Sequence, residues 1–138
     1  MLRALGLIFV YVFSRGKPVV DIAKRNKGIG TRNPLRTKYD ENDELRIKKV
    51  SIRYLLQIAK WVKKAFKNAS KITYPVLIMQ GTKDELVSPE GVREFFNKLI
   101  VNDKKFIELE GAYHCLYSDP AMVDKEGWNI IRDWIIEH

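Results

Sequence analysis

The stretch that decides the fold begins Pro75-Val-Leu-Ile-Met-Gln80-Gly-Thr-Lys-Asp84 and ends Gly111-Ala-Tyr-His114. Residues 74–80 form a nearly uninterrupted apolar run, the pattern of a strand buried on both faces of a parallel sheet. Asp84 follows this strand in a turn, and His114 follows a second strand predicted over residues 105–110. The stretch therefore predicts an acid just after one strand and a histidine just after the next.

Helices are predicted after both strands. Pro89 suits a first helical turn with Ser88 as its N-cap, so a helix is expected to run from there to about Leu99. Asp119-Pro120 precedes a last predicted helix. Residues 71–138 thus alternate strand, helix, strand and helix, an order that predicts parallel strands and the α/β class.

Asp84 and His114 are the candidate catalytic residues. The carboxyl ends of neighbouring parallel strands share one edge of a sheet, where ligands and chemistry gather. A serine hydroxyl is a weak nucleophile that needs a histidine base, and the histidine needs a carboxylate to fix its tautomer. Each residue has an ordinary alternative, a turn aspartate for Asp84 and a loop histidine for His114. Their joint placement favours the catalytic interpretation.

The first 70 residues differ from the rest in charge. They hold 17 Lys/Arg against 5 Asp/Glu, whereas residues 71–138 hold 8 against 12, so the net charge of +8 combines +12 with −4. A basic surface suits anionic lipid, an acidic partner or nucleic acid. No base-reading motif accompanies it, which argues against nucleic acid. Residues 1–13 are apolar but shorter than the ~20 residues of a spanning helix. They predict a core or cap helix, with membrane-surface contact as the alternative.

Residues 19–50 are predicted to be irregular. Asn33-Pro34 indicates a turn, and the acidic residues 40–44 indicate a solvated loop. Ser51 is expected to cap a helix that runs to about Asn68, because apolar residues recur there at three- and four-residue spacing. Its lysines predict a solvated basic face, and the alternative is a basic amphipathic helix that touches lipid.

The sequence contains too few cysteines and histidines to suggest disulfide bonds or a metal site. The single cysteine, Cys115, excludes an internal disulfide and fits a reducing compartment, so a cytoplasmic protein is expected, with peripheral membrane contact as an addition. The two histidines and the cysteine do not have zinc-ligand spacing. Gly28-Ile-Gly30 lacks the third glycine of a dinucleotide fingerprint. The sequence therefore predicts neither a cofactor nor a metal.

Two segments resemble the α/β-hydrolase superfamily. Residues 75–89 are similar to its acid-bearing segment, and Gly111-Ala-Tyr-His114 with Asp119-Pro120 is similar to its histidine loop. The nearer resemblance is to the monoacylglycerol lipase and lysophospholipase branch, among serine aminopeptidase S33-like hydrolases, where an Asp-x-x-Val-x-Pro turn and a Gly-x-x-His loop are usual. The resemblance covers residues 72–137; residues 30–70 resemble the end of a cap region, and the similarity before residue 30 is faint.

The resemblance implies the C-terminal portion of an α/β-hydrolase fold. Residues 71–138 would form its last two parallel strands with their helices, after a mostly helical cap remnant over residues 1–70. Asp84 would be the triad acid and His114 the triad base of a carboxylic-ester hydrolase for monoacylglycerol or lysophospholipid, without a cofactor. The family's serine lies in a Gly-x-Ser-x-Gly elbow earlier in the chain. None of the serines here has glycines two residues before and after it, namely Ser14, Ser51, Ser70, Ser88 and Ser118.

The missing nucleophile leaves three explanations open. The sequence is part of a longer or split reading frame, or one chain of an enzyme whose N-terminal-half partner holds the serine, or a short protein that has kept the scaffold and lost the chemistry. The leading hypothesis is a partial serine hydrolase. The alternatives are a non-catalytic module that pairs through its exposed sheet edge and a membrane-surface binder built on residues 1–67. Because two parallel strands alone make a poor sheet, we expect self-association, a partner or marginal stability.

Overall fold

The structure, a computed structural model, describes residues 16–26, 28–124 and 126–138, without the side chains of residues 123 and 124. The predicted apolar helix at residues 1–13 lies outside the described residues. The described residues divide into two compact units, one made of residues 16–26 and 44–65 and the other of residues 28–43, 66–124 and 126–138. Both candidate catalytic residues belong to the second unit.

The first unit contains a small antiparallel sheet. Strand β1 (Val20–Asp21) pairs with β2 (Lys49–Val50), and the short helix α1 (Ile22–Arg25) follows β1 directly. The carboxylate of Asp21 accepts a hydrogen bond of 2.8 Å from the backbone N–H of Lys24, which caps the helix. This cap explains why the chain turns from strand to helix without an intervening loop.

Helix α2 (Pro34–Asn42), in the second unit, corrects two expectations. The side chain of Asn33 accepts hydrogen bonds of 3.0 and 3.2 Å from two N–H groups of the first turn, and Pro34 occupies a position where no N–H is needed. The predicted turn at 33–34 is therefore a helix start. An ion pair of 2.8 Å joins Arg36 to Asp40 one turn later. The predicted acidic loop is wrong for residues 40–42, which are helical.

Helix α3 (Ile52–Asn68) confirms the predicted amphipathic helix. The hydroxyl of Ser51 accepts a hydrogen bond of 3.1 Å from the N–H of Tyr54, as expected of an N-cap. Ile52 is its one buried residue. Large apolar side chains along the helix remain exposed to solvent, namely Tyr54, Leu55, Leu56, Ile58, Trp61 and Val62.

The sheet of the second unit has the predicted parallel pairing. Strand β3 (Val76–Gly81) pairs with β4 (Lys104–Leu109), with Val76 opposite Lys104 and Gly81 opposite Leu109. Within the described residues β3 has no other strand partner. Residues 76–79 are consequently only half-buried. The prediction that this strand is buried on both faces is therefore wrong for these residues. Burial is complete only at the carboxyl end of β3, next to the site.

Helix α4 (Pro89–Lys98) packs on this sheet and confirms the predicted helix, with the hydroxyl of Ser88 accepting from the N–H of Gly91 at 3.1 Å. Phe96 lies against Phe106 of β4, with the ring centroids 5.2 Å apart. The predicted last helix is divided into a short and a long one, α5 (Ala121–Asp124) and α6 (Gly127–Glu137).

The buried core lies beside the loop that carries His114. Its residues come from the end of β4, the loop itself and the start of α5, namely Leu109, Ala112, Ala121 and Met122. Half-buried side chains of β3, β4, the loop and α6 surround them. Because interiors are close-packed, this arrangement leaves the backbone around the histidine loop little freedom to shift.

Candidate active site

The structure brings the two candidate catalytic residues together. Asp84 lies in the turn after β3 and His114 in the loop after β4, and these strands are parallel neighbours. The Nδ1 atom of His114 is 2.9 Å from Oδ2 of Asp84, a hydrogen bond between residues 30 positions apart. The contact expected from the strand order is therefore present.

The carboxylate of Asp84 is held by several donors. Its side chain is only 4% exposed. Oδ1 accepts from the backbone N–H groups of Leu86 and Val87 at 2.8 and 2.9 Å, and Oδ2 accepts from Nε2 of Gln80 at 3.0 Å in addition to His114. Burial by itself would raise the pKa of Asp84, but the bonds from Val87, His114, Gln80 and Leu86 outweigh it, so the pKa is lowered. Asp84 is thus an ionised acceptor at neutral pH.

The ionised state of Asp84 determines the tautomer of His114. A carboxylate can only accept, so the shared proton lies on Nδ1 of the ring and Nε2 is left as the proton acceptor. The side chain of His114 is 39% exposed, which leaves the ring within reach of another group. This arrangement of carboxylate and imidazole is what a hydroxyl nucleophile requires of its base.

Gly81 allows the acid turn and the histidine loop to approach closely. The N–H of Lys83 donates to the carbonyl of Ala112 at 2.9 Å. A Cβ atom at Gly81 would lie 2.6 Å from the carbonyl oxygen of Tyr113 and 2.8 Å from the carbonyl carbon of Ala112. Only glycine fits this position without moving the loop.

Asp119 is a second buried carboxylate beside the histidine loop, with a fully buried side chain. Its Oδ1 accepts from Nη2 and Nε of Arg32 at 2.9 and 3.2 Å and from the N–H of Ala121 at 3.0 Å, and its Oδ2 accepts from the N–H of Tyr113 at 3.1 Å. Burial would raise the pKa of Asp119, but Arg32 and the backbone donors lower it overall. The sequence did not reveal this role, nor that of Gln80. The available signals were a glutamine at the end of an apolar strand and an aspartate before a proline.

Three serines of the described residues make hydrogen bonds that hold local structure. The hydroxyls of Ser51 and Ser88 cap α3 and α4, and that of Ser118 donates to the carbonyl of Cys115 at 3.2 Å. An open cavity of about 570 Å³ adjoins the acid turn and is lined by residues 82–86 and 88–90. Over the described ranges, no three His, Cys, Asp or Glu side chains converge as metal ligands.

In residues 16–26, 28–124 and 126–138, no helix combines the length and the apolar character needed to cross a membrane.

Comparison with known sequences identifies a family and a relative. The sequence profile of the family described as serine aminopeptidase, S33, matches residues 2–121. The phospholipase YtpA of Bacillus subtilis is 30% identical over 106 residues, which make up 76% of this chain and 38% of that protein. The profile thus includes the N-terminal residues, where the sequence alone had given only a faint resemblance.

Solved structures agree on the fold. The monoacylglycerol lipase of Paleococcus ferrophilus superposes with a TM-score of 0.82 at 28% identity, over 99% of this chain and 52% of that one. A soluble variant of monoglyceride lipase from Saccharomyces cerevisiae, solved with a substrate analog, superposes with a TM-score of 0.75 at 23% identity, over 100% of this chain and 50% of that one. The second likeness supports the fold alone.

The chain spans about half the length of these solved structures and 38% of the Bacillus phospholipase. Its parallel strands match the C-terminal part of the α/β-hydrolase fold, as the sequence predicted. The family profile covers most of the chain. The chain belongs to the serine aminopeptidase S33 family of α/β-hydrolases.

Proposed function

We propose that this chain supplies the acid and the base of a serine esterase whose nucleophile lies outside its 138 residues. The observation that carries the proposal is the 2.9 Å hydrogen bond between Nδ1 of His114 and Oδ2 of Asp84. The proposed substrates are monoacylglycerols or lysophospholipids. Support for this class comes from the names of two relatives, a phospholipase and a monoacylglycerol lipase.

In this mechanism His114 carries the proton transfers. Its Nε2 takes the proton of the serine hydroxyl as the serine oxygen attacks the ester carbonyl, and it then protonates the departing alcohol. In the second half of the reaction Nε2 takes a proton from water as the water oxygen attacks the acyl-enzyme carbonyl, and it returns that proton to the serine oxygen as the serine–acyl bond breaks and the fatty acid leaves. Asp84 keeps the proton on Nδ1 and stabilises the imidazolium. The lowered pKa of Asp84 favours the ionised carboxylate that this role needs.

The proposal also assigns the two regions of the chain. Residues 71–138 act as the C-terminal part of the catalytic core, and residues 1–70 act as a cap that helps to admit the acyl chain. Residues 28–43 lie in the same compact unit as the site. In this assignment they are the part of the cap that contacts the core.

The experiment begins with the nucleotide sequence upstream of Met1, which is searched for an in-frame or frameshifted Gly-x-Ser-x-Gly elbow. The encoded segment is then co-expressed with this chain. Hydrolysis of a monoacylglycerol and of a lysophospholipid is measured for each chain alone and for the pair. A fluorophosphonate probe reports whether the serine of the pair is activated. We expect hydrolysis and labelling by the pair and not by this chain alone.

The two histidines provide a matched control. His114→Ala should abolish hydrolysis by the pair, because it removes the base. His138→Ala should leave hydrolysis near the wild-type level, because His138 bonds to Asp103 and Trp134 at the other end of the sheet. Equal activity of the two variants would sink the assignment of His114, and hydrolysis by this chain alone would contradict an external nucleophile.

A second candidate function is a non-catalytic module that pairs through the free edge of β3. This candidate is favoured by the half-buried residues 76–79 and by the lack of a second strand partner in the described part of the chain. Open strand edges promote pairing with another chain. Sedimentation across a range of concentrations tests it, with a self-associated species as the expected result. A monomer that unfolds cooperatively would contradict it.

A third candidate is a binder of anionic membrane surfaces. Helix α3 carries five Lys/Arg and no acidic residue, and six of its large apolar side chains are exposed. Trp61 lies under Lys64, with the ammonium 4.7 Å from the ring centroid, a pairing suited to the lipid interface. Flotation with anionic and with zwitterionic vesicles, at low and high salt, tests it. Binding to anionic vesicles that salt reverses is expected, and no flotation with either vesicle would exclude it.

A further inference from the structure

Two backbone anchors hold His114 from either side. The N–H of the preceding residue, Tyr113, donates to Oδ2 of Asp119 at 3.1 Å. The N–H of the following residue, Cys115, donates to the carbonyl of Gly30 at 2.7 Å. The backbone on both sides of the histidine is therefore fixed by hydrogen bonds that do not involve Asp84.

Both anchors depend on the segment of residues 30–32. Gly30 provides one acceptor directly. Arg32 provides the other indirectly, because its guanidinium and its backbone N–H both donate to Asp119, which in turn holds Tyr113. Thr31 adds a bond from its hydroxyl to the carbonyl of Ser118 at 3.3 Å. This segment is 87 residues from Asp119 and Ser118 along the chain, so the contacts are tertiary.

Arg32 makes a buried carboxylate tolerable at this position through its charge together with its two bonds to Oδ1 of Asp119. The side chain of Asp119 is fully buried, whereas that of Arg32 is 38% exposed. A buried carboxylate that loses its cation must protonate or draw in water. Either change weakens the acceptor that holds the N–H of Tyr113. The orientation of the histidine loop should therefore respond to a change at Arg32.

We propose that the Arg32–Asp119 pair is a positioning device for His114. It fixes the loop so that Nδ1 of His114 faces Asp84, and neither of its members touches the reacting atoms. The inference rests on the proposed function for its catalytic meaning. Its geometric meaning, that the pair maintains the bond between His114 and Asp84, can be tested without any substrate.

The first test uses NMR of the full chain without a partner. The readout is exchange of the Nδ1 proton of His114 with water. Arg32→Gln should speed this exchange roughly tenfold or more, the scale of one lost hydrogen bond to a charged group. Arg93→Gln is the matched control, since it also breaks an Arg–carboxylate pair, with Glu108, and should leave the exchange unchanged. A wild-type exchange rate in a folded Arg32→Gln variant would overturn the proposal.

Arg32→Lys keeps the test informative if Arg32→Gln does not fold. Lysine retains the charge but cannot make the two-pronged bond to Asp119. The Nδ1 proton of His114 should then exchange faster than in the wild type but more slowly than with a neutral side chain. Exchange in Arg32→Lys that matches the wild type, with Arg93→Lys as its control, would also overturn the proposal.

The second test uses the co-expressed pair of chains and rates normalised to the fluorophosphonate-labelled sites. A positioning role predicts that Arg32→Gln lowers kcat by roughly tenfold to a hundredfold, the scale of a misplaced catalytic group, with KM little changed and partial recovery in Arg32→Lys. A purely structural role would lower the number of labelled sites at constant kcat, which would overturn the proposal. If no pair is active, the proposed function fails, and the NMR test decides the positioning role independently.

Discussion

Gly81→Ala is expected to destabilise the chain and loosen the site, although it adds a single methyl group. The atom nearest to the added Cβ would be the carbonyl oxygen of Ala112, and the carbonyl oxygen of Tyr113 would lie 2.6 Å away, whereas ordinary contact begins at 3.4 Å, so one side must move by at least 0.8 Å. The obstacle is backbone of the histidine loop and not the end of a flexible side chain. Overpacking of this kind typically costs ~1–3 kcal/mol.

Gly91→Ala is the matched control, with the opposite expected sign. Gly91 lies inside α4, and a Cβ there would lie 3.6 Å from Cβ of Ser88, an ordinary contact. Alanine in place of glycine inside a helix should stabilise by ~0.5–1 kcal/mol. The two variants are compared by urea unfolding at matched protein concentration, so that self-association acts equally on both.

The structure also predicts where the damage in Gly81→Ala should appear. The bond from the N–H of Lys83 to the carbonyl of Ala112 should lengthen, and the N–H of Lys83 should exchange faster with solvent. The bond between His114 and Asp84 should weaken with it. Unfolding free energies of Gly81→Ala and Gly91→Ala that shift in the same direction would refute this account of the close approach.

Three further predictions concern protonation and buried donors. The pKa values of Asp84 and Asp119 are lowered in the folded chain, so these carboxylates stabilise the fold above the ordinary carboxyl pKa of about 3.9, and this stabilisation is lost as pH falls through the folded values. Urea unfolding from about pH 6 to pH 2 should show this loss. In Asp84→Asn the unfolding free energy should depend less steeply on pH. Gln80→Leu removes a donor to the carboxylate of Asp84 and should lower the unfolding free energy by ~1.5–3 kcal/mol near pH 7. The difference in unfolding free energy between this variant and the wild type should shrink in acid. A difference that does not change with pH would refute the role of Gln80. The bond from His138 to the carbonyl of Trp134 raises the pKa of His138. Burial would lower this pKa, and the hydrogen bond to Asp103 and its charge raise it further. The stabilisation of the fold by protonated His138 is therefore complete below the ordinary histidine pKa of about 6.5 and is lost as pH rises through the folded value. The melting temperature should depend less on pH across this range in Asp103→Asn than in the wild type.

The strands and long helices could be predicted because their signals are local. The apolar run before Gly81 and the Ser88-Pro89 start of α4 carry their information within a few residues. The start of α2 could not be predicted with the same certainty, since Asn-Pro serves equally as a turn and as an N-cap with proline in the first turn. The half-burial of β3 was missed because burial depends on a neighbouring strand, which the pattern of one strand does not contain.

The site was predicted only in part for a similar reason. Asp84 and His114 follow two strands at the carboxyl edge, so strand order alone predicts that they meet. Arg32 lies 87 residues from Asp119, and neither residue type nor spacing links them. Gln80 is next to a glycine at a strand end, yet its bond to Asp84 depends on the exact path of the following turn. Contacts that tertiary packing creates were therefore the ones the sequence did not reveal.

The tautomer of His114 is the most direct test of the pairing of His114 with Asp84 as base and acid. The measurement is a nitrogen–proton correlation spectrum of the full chain, recorded where the imidazole ring is neutral. The proton is expected on Nδ1 in the wild type, because Asp84 is an ionised acceptor 2.9 Å away. In Asp84→Asn the ring should shift towards the Nε2-protonated form. A wild-type ring that carries its proton mainly on Nε2 would contradict the assignment of Asp84 and His114 as acid and base.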